Sequence, residues 1–191
     1  MDYFSSDWHL LHKNILEFDK RHQFKSIEEH DSYIVHKTFK LLEPDDNFYF
    51  LGDFVLGNHK LAITHLEKLR STGANLLFIK GNHDKRNSIE LFKRYGTYLG
   101  EKQTVKILYE GEEIMVVLDH FSNRVWNRSH HGSYHLYGHS HDSLEKEPWG
   151  RSMDVGIMSA LRIKGDYLPF SFAEIHEILS KRPLKIIDRH D

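Results

Sequence analysis

The sequence predicts an α/β fold in which helices cover a β-sheet. Apolar strand segments alternate with helical segments through the first half of the chain, in the order β–α–β–α–β. These strand segments are apolar on both faces, which is typical of a sheet buried between layers of helices. The second half changes character and adds a hairpin, further strands and a C-terminal helix.

The first half of the chain supplies the alternating elements. In order, they are a strand at 3–5, a helix at 26–42, a strand at 48–51, a helix at 59–70 and a strand at 75–80. We expect Ser26 to cap the first helix, with Glu29 completing a capping box. Gly73 is expected to end the second helix, because glycine readily adopts the conformation that terminates helices.

The second half of the chain is richer in strands. Its predicted elements are strands at 104–109 and 113–118, a polar aromatic loop FSNRVWNRSHHGS, strands at 134–137 and 151–155, and a helix at 171–181. Ser171 and Glu174 form a capping-box pattern at the start of that helix. Because no repeat, low-complexity segment or linker interrupts the pattern, we expect one domain over residues 1–191.

Composition limits the classes of function. The 191 residues carry a formal net charge of −2 and no basic arm, so charge gives no argument for nucleic acid or an anionic membrane as partner. No apolar run approaches the ~20 residues that cross a bilayer, and the N-terminal MDYFSSD lacks a signal-peptide pattern. We therefore expect no membrane association, no obligatory protein partner and a cytoplasmic location (the host cytoplasm if a phage encodes the chain).

Histidine is the unusual component of this chain. There are 16 histidines and no cysteine, so a metal ion would be held by His, Asp, Glu or Asn. About half of the histidines, such as His22, His30, His36, His65 and His176, lie in the polar or helical surroundings that are typical of surface residues. The others cluster with Asp and Asn where predicted strands end.

Five predicted strands end in side chains that can bind a metal ion. In chain order, these side chains are Asp7 and His9, Asp53, Asn82 and His83, His120, and His139 and His141. Ligands of α/β proteins bind outside the carboxyl ends of the strands, so the five segments are expected to meet at one place. A single Gly-Asp after a strand is more often only a turn, but the five strand ends together favour a shared site.

The chemistry of these residues favours a pair of ions. Apart from His83, two Asp, one Asn and four His provide nitrogen and oxygen ligands without sulfur, which suits Zn, Fe, Ni, Co or Mn better than Mg or Ca. Seven ligands are too many for one tetrahedral ion. They suit two ions ~3.5–4 Å apart that share a carboxylate, an arrangement that clamps the attacking and leaving oxygens in phosphate-ester hydrolysis.

The motifs resemble those of the calcineurin-like metallophosphoesterases. The matching segments are Asp7-Trp8-His9, Gly52-Asp53, Gly81-Asn82-His83-Asp84, His120 and Gly138-His139-Ser140-His141. They follow the family's order and span most of the chain. The chain also resembles a small bacterial and phage branch whose first motif is D-x-H-F-G-H-x-N. Here that motif reads DWHLLHKN, with Leu10 and Leu11 in place of Phe and Gly.

The resemblance implies a four-layer αββα sandwich with two central mixed β-sheets and a dimetal site at the strand C-terminal ends. Asp53 would bridge two divalent transition metal ions, with Mn²⁺ favoured and Fe, Zn, Ni or Co as alternatives. One ion would be held by Asp7, His9 and His141, and the other by Asn82, His120 and His139. A metal-bridging hydroxide would attack phosphorus. His83 would donate a proton to the leaving group or stabilise the phosphoryl charge, with Asp84 orienting its ring.

Other candidate residues have two interpretations each. His12 is expected either to reach the phosphate or to cap the following helix. Asn14 and Arg86 are weaker substrate-binding candidates, and Arg86 is equally well explained as a solvated arginine. The loop FSNRVWNRSHH either stacks against a base or is a surface loop anchored by its Trp. Asp154 either contacts residues that themselves bind the metal ions, or simply ends a strand.

The predicted function is hydrolysis of phosphate esters. A phosphodiester is favoured over a monoester. The small chain has no large insertions, which suggests an open site for a small or flexible substrate such as a nucleotide, a cyclic nucleotide or a nucleic-acid end. The alternatives are a phosphomonoesterase or protein phosphatase, and a non-catalytic scaffold that keeps the fold. The scaffold is disfavoured since every ligand position and His83 are present. A metallo-β-lactamase type of hydrolase is disfavoured because no H-x-H-x-D-H run exists.

Overall fold

The computed structural model describes residues 1–57 and 59–187. Its strands are β1 (Asp2–Ser5), β2 (Asn47–Leu51), β3 (Asn75–Ile79), β4 (Thr97–Gly100), β5 (Lys102–Tyr109), β6 (Glu112–Asp119), β7 (Tyr134–Tyr137), β8 (Ser152–Asp154) and β9 (Phe170–Ser171). Its α-helices are α1 (Ile15–Phe18), α2 (Ile27–Leu41), α3 (His59–Arg70), α4 (Arg86–Tyr95), α5 (Ile157–Lys164) and α6 (Phe172–Leu179). None of the helices in these described residues is long and apolar enough to cross a membrane.

The strands form two mixed sheets. The first has the order β4-β3-β2-β1-β9, in which β4, β3, β2 and β1 pair in parallel and β9 is antiparallel. The second has the order β5-β6-β7-β8, with an antiparallel β5–β6 hairpin beside the parallel strands β7 and β8. Because β1, β2 and β3 run parallel, as do β6 and β7, the carboxyl ends of each group lie along one edge of their sheet.

Helices α2, α3 and α4 pack against one face of the first sheet. The buried cluster of this layer includes Trp8, Phe48 and Phe50. Phe78 of β3 and Phe92 of α4 stack with ring centroids 4.4 Å apart and an interplanar angle of 3°. Burial of so much aromatic surface fixes β1, β2 and β3 relative to these helices, since each buried ring removes a large apolar area from water.

The opposite face of the first sheet packs against the second sheet. Phe4 and Tyr49 stack with centroids 4.9 Å apart and belong to the same buried cluster as Val116 and Leu136 of the second sheet. Helix α6 contributes to this cluster through residues such as Ile175. The predicted fold class is confirmed: two mixed sheets are flanked by helices, and the carboxyl ends of strands from both sheets can meet.

Several elements differ from the predicted ones. Helices α1, α4 and α5 and strands β4 and β9 were not predicted, because α1 and β9 are very short and α4 follows the GNHD segment directly. The capping box is confirmed for α6. For α2 only half of it forms. The Ser26 side chain accepts a hydrogen bond from the Glu29 N–H at 3.2 Å, but the Glu29 carboxylate accepts from the N–H of Lys25 at 2.8 Å instead of from Ser26.

Candidate metal centre

The predicted ligands come together where the carboxyl ends of five strands meet. Segments after β1, β2 and β3 of the first sheet and after β6 and β7 of the second sheet carry them. Backbone hydrogen bonds join the segments, since the N–H of Asp7 donates to Gly52 at 3.1 Å and the N–H of His9 donates to Asp53 at 3.0 Å. The side chains that follow these five strands therefore lie together at one place in the molecule, as the sequence pattern predicted.

The backbone at this place is strained. Five ligand residues have positive φ angles: Asp7 (58°), His9 (51°), Asp53 (59°), His139 (65°) and His141 (46°). Non-glycine residues adopt this conformation rarely and at an energetic cost, and such residues cluster at functional sites. The surrounding hydrogen bonds hold the strain in place and turn successive side chains toward one point.

Two glycines allow the strand ends to approach closely. A Cβ atom added to Gly81 would lie 2.2 Å from Oδ1 of Asp53, and one added to Gly138 would lie 2.5 Å from Oδ2 of Asp7. Real Cβ atoms do not approach other atoms so closely, so only glycine fits between these carboxylates and the neighbouring strand end. The close approach of neighbouring strand ends at this site therefore explains why the GNHD and GHSH motifs begin with glycine.

The first ligand cluster consists of Asp7, His9 and His141. Their ligand atoms all lie within 4.8 Å of one another. Nε2 of His9 and Nε2 of His141 are each 3.8 Å from Oδ1 of Asp7, and these two nitrogens are 3.3 Å apart. Burial lowers the pKa of His9 to about 3. The imidazole is therefore neutral, which is the form that binds metal ions.

The second cluster consists of Asp53, His120 and His139, again with ligand atoms within 4.8 Å of one another. Asn82 joins it, because its Oδ1 lies 2.9 Å from Nε2 of His120. Nδ1 of His120 lies 2.8 Å from the carbonyl oxygen of Leu51 and donates to it, which leaves Nε2 free to face the cluster.

Asp53 belongs to both clusters. Its Oδ2 lies 3.7 Å from Nε2 of His9 and 3.4 Å from Nε2 of His120. Its Oδ1 accepts a hydrogen bond from the N–H of His83 at 2.9 Å. A single buried carboxylate thus stands between the two sets of ligands, which is the position predicted for a bridging ligand.

The spacing of these atoms fits metal ions better than hydrogen bonds. Separations of 3.7 and 3.8 Å between imidazole and carboxylate are too long for hydrogen bonds. Ligands at ~2.0–2.2 Å from a common ion lie roughly 3–4 Å from one another. Burial disfavours protonation of His120, but the hydrogen bond and charge of Asp53 and the charge of Asp7 outweigh it and raise its pKa to about 9. The carboxylates of Asp7 and Asp53 thus favour positive charge at this place, and the residues present fit two divalent ions.

His83 and Asp84 have different environments. His83 is exposed, and its ring centroid lies 5.5 Å from that of His9. Asp84 is buried and accepts hydrogen bonds from the backbone N–H groups of Gly81 at 2.9 Å, Asp53 at 2.7 Å and Phe54 at 3.3 Å. The predicted role of Asp84 in orienting the ring of His83 is therefore corrected: its carboxylate joins the two backbone segments that carry Asp53 and His83.

Asp19 supports His141 and was missed by the sequence analysis. Its two carboxylate oxygens lie 2.8 and 2.7 Å from Nδ1 of His141, so the imidazole donates to Asp19 and presents Nε2 to the cluster. Burial opposes ionisation of Asp19, but its hydrogen bond to His141 and the charge of Arg21 outweigh burial and lower its pKa. Only the fold reveals this pairing, because Asp19 and His141 are 122 residues apart.

Arg21 ties this support to the backbone of the first motif. It is fully buried and pairs with Asp19. Its guanidinium also donates to the carbonyl oxygens of Asp7 and Trp8, each at 3.2 Å. A third contact joins it to Nε2 of His30 at 2.7 Å. One buried arginine therefore links the strand end that carries Asp7 to the carboxylate behind His141.

We expect Asp19→Asn to lower metal affinity at the cluster that contains His141 by about 10–100-fold, the usual effect of losing a hydrogen-bonded support of a ligand. Titration of the metal-free variant with Mn²⁺, monitored by calorimetry, measures this. Glu17→Gln is the matched control, since Glu17 is exposed on helix α1, which ends directly before Asp19. A thermal melt confirms folding, and an Asp19→Asn variant that is folded and binds both ions like the native chain would contradict the assigned role.

The weaker candidates are distributed unevenly around the centre. His12 lies close to it, with its ring centroid 5.9 Å from that of His9. Asn14 is exposed and precedes helix α1 without making a side-chain capping bond. Nε of Arg86 pairs with Glu90 at 3.2 Å, and the side chain of Arg86 is 90% exposed. This geometry matches the interpretation of Arg86 as a solvated arginine.

The loop and Asp154 also have defined positions. Trp126 is buried, donates to the carbonyl oxygen of Ser133 at 3.1 Å and packs on His135, so it anchors the loop 121–133. Asp154 ends β8 and is buried. Its carboxylate accepts hydrogen bonds from the hydroxyl of Ser140 and the N–H of Asp142. Asp154 therefore holds the segment that carries His139 and His141.

Two clusters of nitrogen and oxygen ligands that share a carboxylate define the class: an α/β protein with a dinuclear metal centre at its strand ends. The chain belongs to the calcineurin-like phosphoesterase superfamily, since the profile of that domain matches residues 5–154. Members of this superfamily use pairs of divalent metal ions, and membership points to metal-dependent hydrolysis of phosphate esters.

Two known proteins are similar to this chain over most of its length. The chain is 28% identical over 180 residues to an uncharacterized protein of Methanocaldococcus jannaschii, with 94% of this chain and 91% of that protein covered. Its fold is similar to the crystal structure of a protein of unknown function from Aquifex aeolicus. That comparison has a TM-score of 0.68 and 22% identity, and it covers 93% of this chain and 98% of the other. At this identity, the second comparison concerns the fold alone.

Proposed function

We propose that this protein is a dimetal-dependent phosphoesterase that hydrolyses phosphodiesters in preference to monoesters. The observation that carries the proposal is the position of Asp53 between two ligand clusters, with the exposed imidazole of His83 beside them. Catalysis of phosphate transfer needs positive charge at the phosphate and a positioned proton donor, and this arrangement provides places for both.

Each residue of the centre would have a distinct role. Asp7, His9 and His141 would hold one ion, Asn82, His120 and His139 the other, and Asp53 both. When bound, two such ions lower the pKa of water and neutralise charge on a phosphate. His83 is the group that can give a proton to the departing oxygen. Asp84 fixes the loop that carries His83, because it binds the backbone of Gly81 and Asp53.

The surroundings of the centre support a diester. Asn82, His83 and His139 are all exposed, so the site opens to solvent and can admit groups on both sides of a phosphate. A monoester dianion carries one more negative charge than a diester, and a bidentate arginine is well suited to bind it. Arg86 is not placed for this task, because it pairs with Glu90.

Metal removal and selective reloading test the proposal. The protein is stripped of metal and reloaded separately with Mn²⁺, Ni²⁺, Co²⁺ or Zn²⁺, and p-nitrophenyl phosphate is assayed beside bis-p-nitrophenyl phosphate. We expect metal-dependent cleavage, mainly of the diester, with Mn²⁺ among the active ions. Cleavage mainly of the monoester would indicate a phosphatase. No cleavage of either ester with two ions bound would favour a binding scaffold.

Two finer points belong to the same proposal. Membership of the small bacterial and phage branch is supported by His12, which matches the first motif of that branch and lies beside His9. A cytoplasmic site of action is supported by the absence of cysteine, since proteins of oxidising compartments commonly contain disulfides. Phosphate esters of nucleotides are the expected substrates.

A further inference from the structure

Among the described residues, only two phenylalanines are exposed: one contacts candidate ligands of the metal centre, and the other contacts His12 beside them. Nine of its 12 phenylalanines are buried and Phe39 is half-buried. The exposed ones are Phe18, which is 70% exposed, and Phe121, which is 47% exposed. A single exposed apolar side chain needs no explanation. Two exposed phenylalanines in this region do need an explanation, because the other ten phenylalanines are buried or half-buried.

Phe121 contacts one ligand cluster directly, whereas Phe18 is linked to the other through His12. Phe121 directly follows His120, and its ring centroid lies 4.6 Å from that of His139 and 5.2 Å from that of His120. Phe18 contacts His12 at 5.9 Å, and His12 in turn lies 5.9 Å from His9. Phe121 therefore flanks the cluster of His120 and His139, and Phe18 lies on the side of His9, with His12 between them.

The space beside Phe121 is large enough for a substituent of the phosphate. A cavity of about 470 Å³ is lined by Phe121 together with the ligand Asn82. The lysines of this cavity are already paired with acids. Lys80 lies 2.6 Å from Glu101, and Lys102 lies 3.3 Å from Asp119. The cavity therefore holds no surplus positive charge to attract a second phosphate, and its exposed ring is the feature available for contact.

We infer that Phe18 and Phe121 bind the planar aromatic groups on the two sides of a phosphodiester, so that the substrate is a phosphodiester joining two nucleosides. This inference rests on the proposed function. A phosphate at the centre would carry one ester group toward each phenylalanine, and nucleobases are the planar groups that accompany biological phosphodiesters. Stacking of a base on an aromatic side chain is strong and tolerant of sequence. Bases paired in a duplex stack on each other and are unavailable, so unpaired nucleosides are the expected form.

Kinetics with three Mn²⁺-loaded variants test the inference. Phe18→Ala and Phe121→Ala are each expected to lower kcat/KM for dithymidine phosphate by roughly tenfold or more, mainly through KM. For the methyl ester of thymidine 3′-phosphate, which has one base, at least one of the two substitutions should have a clearly smaller effect. Phe121→Tyr keeps the ring face and should keep most of the native kcat/KM. Leu108→Ala removes another exposed apolar side chain, which is 76% exposed on β5, and serves as the control.

A binding measurement gives a readout that does not depend on turnover. The dithymidine methylphosphonate is neutral and resists hydrolysis, and its binding to the metal-loaded protein can be followed by calorimetry. We expect both alanine variants to weaken this binding while Leu108→Ala does not. Metal content and thermal melting show that each variant is loaded and folded.

The outcomes separate this inference from the function on which it rests. If bis-p-nitrophenyl phosphate is cleaved but the alanine variants act on dithymidine phosphate and bind the methylphosphonate like the native chain, the inference is wrong and the phosphodiesterase function stands. If the loaded protein cleaves no ester, the proposed function is wrong. In that case, loss of methylphosphonate binding in the alanine variants would still support two base-binding rings.

Discussion

Asp53→Ala is expected to lose metal from both clusters and to abolish hydrolysis. Oδ2 of Asp53 is 3.7 Å from Nε2 of His9 and 3.4 Å from Nε2 of His120, so one substitution removes a ligand atom from each set. The loss of affinity should exceed the roughly 10–100-fold that follows removal of a supporting residue, because a ligand itself is lost. Plasma mass spectrometry after dialysis measures the number of ions that remain per chain.

A control substitution elsewhere in the chain tests whether the loss of metal is specific to Asp53. Glu113→Ala removes a carboxylate at the start of β6, at the end of the strand away from the metal centre. Glu113 pairs there with Lys106 at 2.7 Å, and the variant should retain both ions. Asp53→Asn keeps the shape of the side chain and removes its charge, and thermal melting shows whether either variant is folded. A folded Asp53→Ala protein with two bound ions and normal activity would refute the bridging role.

His83→Ala is expected to keep both ions and to lose most turnover. His83 is exposed, and neither ligand cluster includes it, so its removal should leave folding and metal content unchanged. General acid catalysis contributes about 10²–10⁴-fold to a rate, which sets the expected loss in kcat. The loss should be larger for a methyl ester than for a p-nitrophenyl ester, because p-nitrophenolate leaves without needing a proton.

The leaving-group comparison decides between two roles for His83. An equal loss for both esters would assign it to stabilising the phosphoryl charge instead of donating a proton. His22→Ala is the matched control, since His22 is also exposed and lies outside both clusters. Native kcat for both esters in His83→Ala would show that His83 takes no part in catalysis.

Local patterns in the sequence were sufficient to locate the candidate ligands. Each of Asp7, Asp53, Asn82, His120 and His139 follows a strand that is recognisable from its apolar run. The rule that ligands bind at the carboxyl ends of strands then brings these residues together without knowledge of any distance. The strands of the two mixed sheets were predicted only in part, because the segments that form β4 and β9 lack a clear strand pattern in the sequence.

Long-range partners were beyond the reach of the sequence. Asp84 follows His83 directly, which suggested a contact between their side chains, yet the turn directs the Asp84 carboxylate inward to the N–H groups of Gly81, Asp53 and Phe54. The hydrogen bond between Asp19 and His141 joins residues 122 positions apart. Arg21 looks like an ordinary surface residue in a charged stretch, and its burial follows only from the packing around it.

The sequence by itself determined the class of fold and located the candidate ligands and the candidate catalytic imidazole, because these depend on residue types at strand ends. The tertiary structure decided how far Asp53 lies from each cluster, which residues support the clusters and which aromatic rings remain exposed near them. Those properties depend on side-chain direction and on contacts between distant segments. Phe18 and Phe121 show the difference most clearly: their letters match those of ten other phenylalanines, and only the fold leaves these two uncovered near the metal centre.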